Sequence, residues 1–160
     1  MTINIINLAD QIHHVEELAR LHHGEWGHLS PQIDVGTRAQ RLTEASGTSE
    51  IPMVFIAVDG SDLIGSAALV KNDMKERPEL SPWLAAVYVK PARRKSGIAS
   101  SLISRVEKEA ASLRVKTLYL FTDHEGKFYA RRGWSLMEKA DHYGTPVVVM
   151  KKNLCIGNEQ

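Results

Sequence analysis

Only one cysteine, Cys155, occurs in the chain. No disulfide can form within it, and a reducing, cytoplasmic compartment is expected. Cys155 follows the last strand-like run, in a tail containing Gly and Asn, and reads as an incidental thiol rather than a nucleophile. No apolar run approaches the ~18 residues of a membrane span. The start, Met1-Thr2-Ile3-Asn4-Ile5, has no basic segment followed by an apolar one, so no signal peptide is expected. Neither sign of charge is in excess, with 20 Lys and Arg against 19 Asp and Glu. A protein that grips nucleic acid over its whole surface would be more basic, so no nucleic-acid partner and no membrane partner are expected. The patterns GxxxxGKS/T and GxGxxG are absent, which excludes a nucleotide P-loop and a dinucleotide fingerprint. Zinc-type spacing is absent as well. The pairs His13-His14 and His22-His23 are neighbours, which on a helix point about 100° apart and chelate poorly. His13 and Glu17 share a helix face, but two ligands are not a site, and no metal is expected.

The 160 residues suit one domain with a sizeable core, expected over 1–152, with 153–160 as a weakly ordered tail. Ile3 and Ile5 alternate with polar neighbours, which predicts a first strand. Ile12, Val15, Leu18, Ala19 and His22 recur at helical spacing and predict a helix from Ala9 to Trp26. A second helix is expected from Thr37 to Ala45, capped by Asp34 or Thr37. Pro52–Val58 and Leu63–Lys71 read as strands joined by the hairpin signal Asp59-Gly60-Ser61-Asp62. After a charged loop come a strand over Trp83–Val89, a long helix ending near Leu113 and a short apolar strand over Thr117–Phe121. A short helix over Glu125–Arg132, closed by Gly133, precedes strands at Ser135–Ala140 and Thr145–Lys151. The order β-α-α-β-β-β-α-β-α-β-β is that of an α/β chain with a mixed, mostly antiparallel sheet.

The most informative segment is Val87 to Ser101. A β-branched and aromatic run (Val87, Tyr88, Val89) is ended by Pro91, which cannot donate to a ladder. A cationic turn (Arg93, Arg94, Lys95, Ser96, Gly97) then feeds the long helix. Such a turn gathers free N–H groups and the positive end of the helix dipole, which makes an anion site. Gly97 lets the backbone approach a ligand with no Cβ in the way. A turn that merely joins strand to helix would also carry Gly and Arg, so the physics alone leaves both readings open.

Arg94-Lys95-Ser96-Gly97-Ile98-Ala99 resembles the Q/R-x-x-G-x-G/A motif of the GCN5-related N-acetyltransferases. Phe128-Tyr129-Ala130-Arg131-Arg132-Gly133-Trp134 looks like the F-Y-x-x-x-G-F/W signature of the same family, at the expected distance downstream. The resemblance covers roughly Trp83 to Lys151. It implies the acetyltransferase fold, with about six to seven strands and about four helices. It implies that the amides of Arg94, Lys95, Ser96, Gly97, Ile98, Ala99 and Ser100 hold the pyrophosphate of acetyl-CoA. It also implies that strands four and five splay, so that the backbone of Val87, Tyr88 and Val89 pairs with pantetheine.

Acetyl transfer from a thioester needs a neutral amine, a donor for the carbonyl oxygen and a proton for the leaving thiolate. The resemblance assigns the last role to Tyr129, whose phenol, with a reference pKa of about 10, stays protonated at neutral pH. Packing is the competing role for this aromatic. Relatives that carry a Glu before the anion turn find no counterpart here, since Trp83-Leu84-Ala85-Ala86-Val87-Tyr88-Val89 holds no carboxylate. Glu25 is then the candidate base, with His22, His23, His28, Asp123 and His124 as alternatives. Trp26 is a candidate for lining the acceptor pocket. The function expected is direct transfer from acetyl-CoA to a small-molecule or peptide amine. A non-catalytic acyl-CoA-binding module is the competing class. Dimers are frequent among relatives, so a homodimer is a candidate assembly.

Overall fold

The computed structural model describes residues 2–155. Seven strands form one open sheet in the order β1-β2-β3-β4-β5-β7-β6. They are β1 (Ile3–Asn7), β2 (Met53–Asp59), β3 (Asp62–Val70), β4 (Trp83–Val89), β5 (Thr117–Thr122), β6 (Ser135–His142) and β7 (Thr145–Asn153). All neighbours are antiparallel except β4 and β5, which run parallel. The helices are α1 (Val15–Trp26), α2 (Val35–Glu44), α3 (Ile98–Ser112) and α4 (Gly126–Ala130). This is the expected mixed α/β fold.

The sheet is covered on both faces. Every residue from Met53 to Val58 is buried, which is why β2 reads as a continuous apolar run rather than an alternating one. Phe55, Leu69, Leu84, Leu118, Leu120 and Met150 face α3, which offers Ile98, Leu102, Ile103 and Val106 at helical spacing. On the opposite face Val54, Ile56, Val58 and Ala68 meet Val15, Leu18 and Ala19 of α1 and Leu42 of α2. Beyond β4 that face is covered differently. Met74 and Leu80, from the segment joining β3 to β4, pack on Trp83, Val147 and Val149.

The first predicted helix is two elements. A 3-10 segment covers Leu8–His14, and Gln11 leaves helical geometry inside it (φ −141, ψ 62). The face therefore rotates, and Ile12, one of the residues at helical spacing, is 47% exposed. The second helix starts two residues before Thr37, at Val35, with the Asp34 carboxylate accepting from the Thr37 N–H at 2.7 Å. The short helix is trimmed to Gly126–Ala130, and Gly133 follows at φ 90. Asn153, expected in the tail, is the last residue of β7 and pairs with Thr117. The Leu154 N–H donates to Lys116 O at 2.8 Å. The rest of the expected tail, 156–160, lies outside the described residues.

Candidate active site

The turn between β4 and α3 is short and closely bonded. The Lys90 N–H donates to Ile64 O at 2.9 Å, and Pro91–Arg93 forms one 3-10 turn. Lys95 (φ 64) and Gly97 (φ 85) then adopt left-handed backbone, and α3 begins at Ile98 with no side chain capping it. The first N–H groups of a 15-residue helix are thus left for another acceptor. A Cβ on Gly97 would meet no heavy atom within 4 Å, so the approach to these amides is open.

The cations around the turn divide into two kinds. Lys90 and Arg93 tie it to the body of the protein, through Glu17 of α1 at 3.2 Å and Asp59 of β2 at 3.1 Å. Arg94 donates to Val89 O at 2.7 Å, reaches Glu25 at 3.4 Å and lies 5.7 Å from the Tyr88 ring centroid. Lys95 is exposed, and Ser96 donates to Arg93 O. Arg132 was not anticipated here. Its guanidinium stacks 3.6 Å from the Phe128 ring centroid and donates to Ser100 Oγ at 2.9 and 2.5 Å. The F-Y-x-x-x-G-like segment therefore brings a second cation to the first turn of α3.

Beside the turn the sheet opens. β4 and β5 pair at Trp83 and Tyr119 alone, where the Tyr119 N–H donates to Pro82 O at 3.1 Å. On its other side β4 carries a bulge. Ser66 faces Tyr88 and Ala68 faces Ala85, so Ala86 and Val87 have no ladder partners in β3. Ala86 sits at φ 54, a region unusual for a residue with a Cβ. Its carbonyl accepts from the Ser66 hydroxyl at 2.8 Å, and the same hydroxyl lies 2.8 Å from His22 Nε2.

Burial holds the His22 imidazole down at about 4, and the Arg38 guanidinium acts in the same direction. His22 is therefore neutral near pH 7. The Ser66 proton is committed to Ala86 O, so Nε2–H of His22 is the donor to Ser66 Oγ. This removes His22 from the candidate bases. Tyr88 turns its buried ring toward α1, 6.1 Å from the centroids of both His22 and Trp26. Burial pushes its phenol up.

Tyr129 is 8% exposed, with its ring against Phe128 and Trp134. Burial, reinforced by Glu125, pushes its phenol well above the ordinary value. It is protonated across the neutral range.

The remaining base candidates are occupied or exposed. Glu25 is exposed and paired with Arg94. His23 Nδ1 accepts from Arg38 Nε at 3.2 Å. Asp123 and His124 pair with each other at 2.6 Å on the surface. One unanticipated carboxylate stands apart. Asp73, half-buried in the segment after β3, is pushed up to about 7 by burial. That segment is fastened to the β6–β7 hairpin. Glu76 lies 3.0 Å from His142, Arg77 pairs with Glu138, and the Lys75 ammonium is 4.4 Å from the Tyr143 ring centroid. Among the described residues no group of three His, Cys, Asp or Glu could hold a metal ion. No helix among them is long and apolar enough to cross a membrane.

An open sheet, split at its centre beside an uncapped helix N-terminus, defines the class of CoA-dependent acyltransferases. The acetyltransferase (GNAT) family model matches residues 14–134, and the chain belongs to that family of acetyl-CoA-dependent enzymes. Its fold is similar to an aminoglycoside 6'-N-acetyltransferase complexed with coenzyme A (TM-score 0.75, 19% identity, covering 99% of this chain and 100% of that one). It is also similar to the aminoglycoside 6'-N-acetyltransferase from Enterococcus faecium (TM-score 0.73, 19% identity, 99% and 100% covered). The PaiA N-acetyltransferase from Thermoplasma acidophilum, in complex with coenzyme A, gives a TM-score of 0.70 at 20% identity, with 96% and 99% covered. No curated protein sequence gives a significant match.

Proposed function

We propose that this chain moves the acetyl group of acetyl-CoA directly to the primary amine of a small molecule. The observation that carries the reading is the split between β4 and β5 beside the uncapped start of α3. Phosphates of the co-substrate meet the amides from Arg94 to Ser100, with Lys95 and Arg132 adding positive charge. The pantetheine arm enters the split and pairs with the backbone of Val87 and Val89.

The bulge supplies the carbonyl donor. In a planar trans peptide the C=O and the following N–H point in opposite directions. Ala86 O is turned to Ser66, so the Val87 N–H points away from β3. It is our donor to the thioester oxygen, where charge develops during attack. The neutral amine attacks the acetyl carbon, a C–N bond forms and the C–S bond breaks. Tyr129 gives its proton to the departing thiolate, and the amine loses one to water or to a carboxylate. The pairing of Glu25, the candidate base, with Arg94 favours an electrostatic part for that carboxylate. A covalent acetyl-enzyme is disfavoured because the single thiol, Cys155, is exposed beyond β7.

The named activity of two similar structures supports a small-molecule acceptor bearing amines, an aminoglycoside being the first to try. The test is thiol release from acetyl-CoA with a panel of aminoglycosides, polyamines, amino acids and peptide N-termini. Release with one class identifies the acceptor. Release with none, despite acetyl-CoA binding, returns the chain to the acyl-CoA-binding module.

A further inference from the structure

We infer that His22 is a positioning residue for acetyl transfer, acting through Ser66 to hold the Ala86–Val87 peptide in the orientation that aims the Val87 N–H at the thioester carbonyl. The inference rests on the reading of that N–H as the carbonyl donor.

Three observations support it. First, the peptide needs holding. Ala86 has φ 54 and no ladder partner, and a left-handed residue with a Cβ persists only where its surroundings over-determine it. Second, what holds it is a buried chain of two hydrogen bonds, each 2.8 Å, from His22 Nε2 to Ser66 Oγ and from Ser66 Oγ to Ala86 O. Ser66 is 0% exposed and His22 5%, so water does not substitute for either partner. A serine hydroxyl has one proton and can rotate. Donation from His22 occupies one of its lone pairs and turns that proton onto Ala86 O.

Third, His22 is itself held. Its ring packs between Trp26, at 5.0 Å, and the edge of Tyr88, at 6.1 Å. The charges around it are Arg38 from α2 and, beyond the Tyr88 ring, the Arg94–Glu25 pair. None of these is a hydrogen-bond partner that would draw Nε2 away from Ser66. The relay also joins the two halves of the site, since α1 bears His22 and β4 bears the bulge. It gives a buried histidine, packed between two aromatic rings, a use for its N–H.

The test uses 15N-labelled full-length protein. The Val87 amide is followed in complexes with CoA and with acetyl-CoA, and turnover is followed by thiol release with kanamycin. In the wild type the Val87 amide proton moves downfield when acetyl-CoA replaces CoA. In His22→Phe, which keeps a ring but no donor, that displacement is lost. Its kcat falls about tenfold, the worth of one neutral hydrogen bond, while KM for acetyl-CoA stays within about twofold. His22→Gln keeps an N–H donor and restores both readouts. Ser66→Ala behaves as His22→Phe, and the double variant is no worse than Ser66→Ala, because both act through one hydroxyl. If His22→Phe does not fold, Ser66→Ala decides alone. A wild-type Val87 amide that does not respond, or variants that keep both the response and kcat, would overturn the inference. If wild-type protein does not acetylate kanamycin, that acceptor is wrong, and the amide response still decides the role of His22.

Discussion

On the proposed reading, the co-substrate half and the acceptor half of this molecule are assembled in opposite ways. The first is one continuous segment, β4, the turn and α3, and its chemistry is mostly backbone: an uncapped helix start, three left-handed residues and the bulge that holds one of them. To the second we assign side chains from α1, α2, the segment after β3 and the β6–β7 hairpin, the last two joined by Glu76–His142 and Arg77–Glu138. A backbone site tolerates many side chains but depends on a few dihedral angles. A side-chain site is retuned by single substitutions. The same sheet can therefore keep one co-substrate while its acceptor changes.

The largest effect that would break this contrast is at Gly97. Gly97→Glu forces a side chain onto φ 85 and puts a carboxylate at the phosphate site. Acetyl-CoA affinity should fall about a hundredfold, the upper range for charge-assisted hydrogen bonds, as read by calorimetry, and thermal stability should fall by about 1 kcal/mol, because φ 85 strains any residue with a Cβ even though the Cβ itself meets open space. Next comes Tyr129→Phe. Loss of a general acid predicts a kcat lower by about 10²-fold with unchanged CoA affinity. Unchanged turnover would return Tyr129 to a packing role beside Phe128 and Trp134.

A smaller effect sharpens the acceptor half through pH. His22 is held near 4 in the folded protein against 6.5 unfolded, so its contribution is complete above pH 6.5 and is lost as pH falls toward 4. That loss is worth about 3 kcal/mol. Asp73 works the other way. Its carboxyl is raised from 3.8 to about 7, so its contribution is complete at low pH and is lost as pH rises through that window. The two oppose each other between about pH 4 and 6.5. In the wild type they nearly cancel there, so Asp73→Asn should uncover a loss of stability as pH falls, and His22→Phe should leave the opposite slope, with stability rising as pH falls, as measured by denaturant melts at several pH values. The smallest effect is at Glu25. Its exposed pairing with Arg94 predicts that Glu25→Gln changes kcat/KM no more than a few-fold, in line with the ~0–1 kcal/mol of surface ion pairs. A hundredfold loss would make it the base after all.

What the sequence disclosed follows the same division. Val87 to Ser101 is contiguous, so strand, stop, turn and helix could be read in order, and β4 runs over Trp83–Val89 as expected. The acceptor half depends on contacts that no local pattern reveals. His22 and Ser66 are separated by 44 positions, and Ser100 and Arg132 by 32. Apolar spacing in the first helix suggested one continuous face, but Gln11 breaks the helical path and the face turns with it. Asp73 looked like one charge in a charged loop. Only the structure shows it half-buried, next in the chain to Met74 of the core.

The most direct measurement is titration calorimetry of the protein with acetyl-CoA, alongside an Arg94→Ala, Gly97→Glu double variant. Saturable binding by the wild type and its loss in the variant is the result predicted by an anion site at the start of α3. Absence of binding by the wild type would contradict the account, leaving the turn a structural connection and the split between β4 and β5 without a ligand.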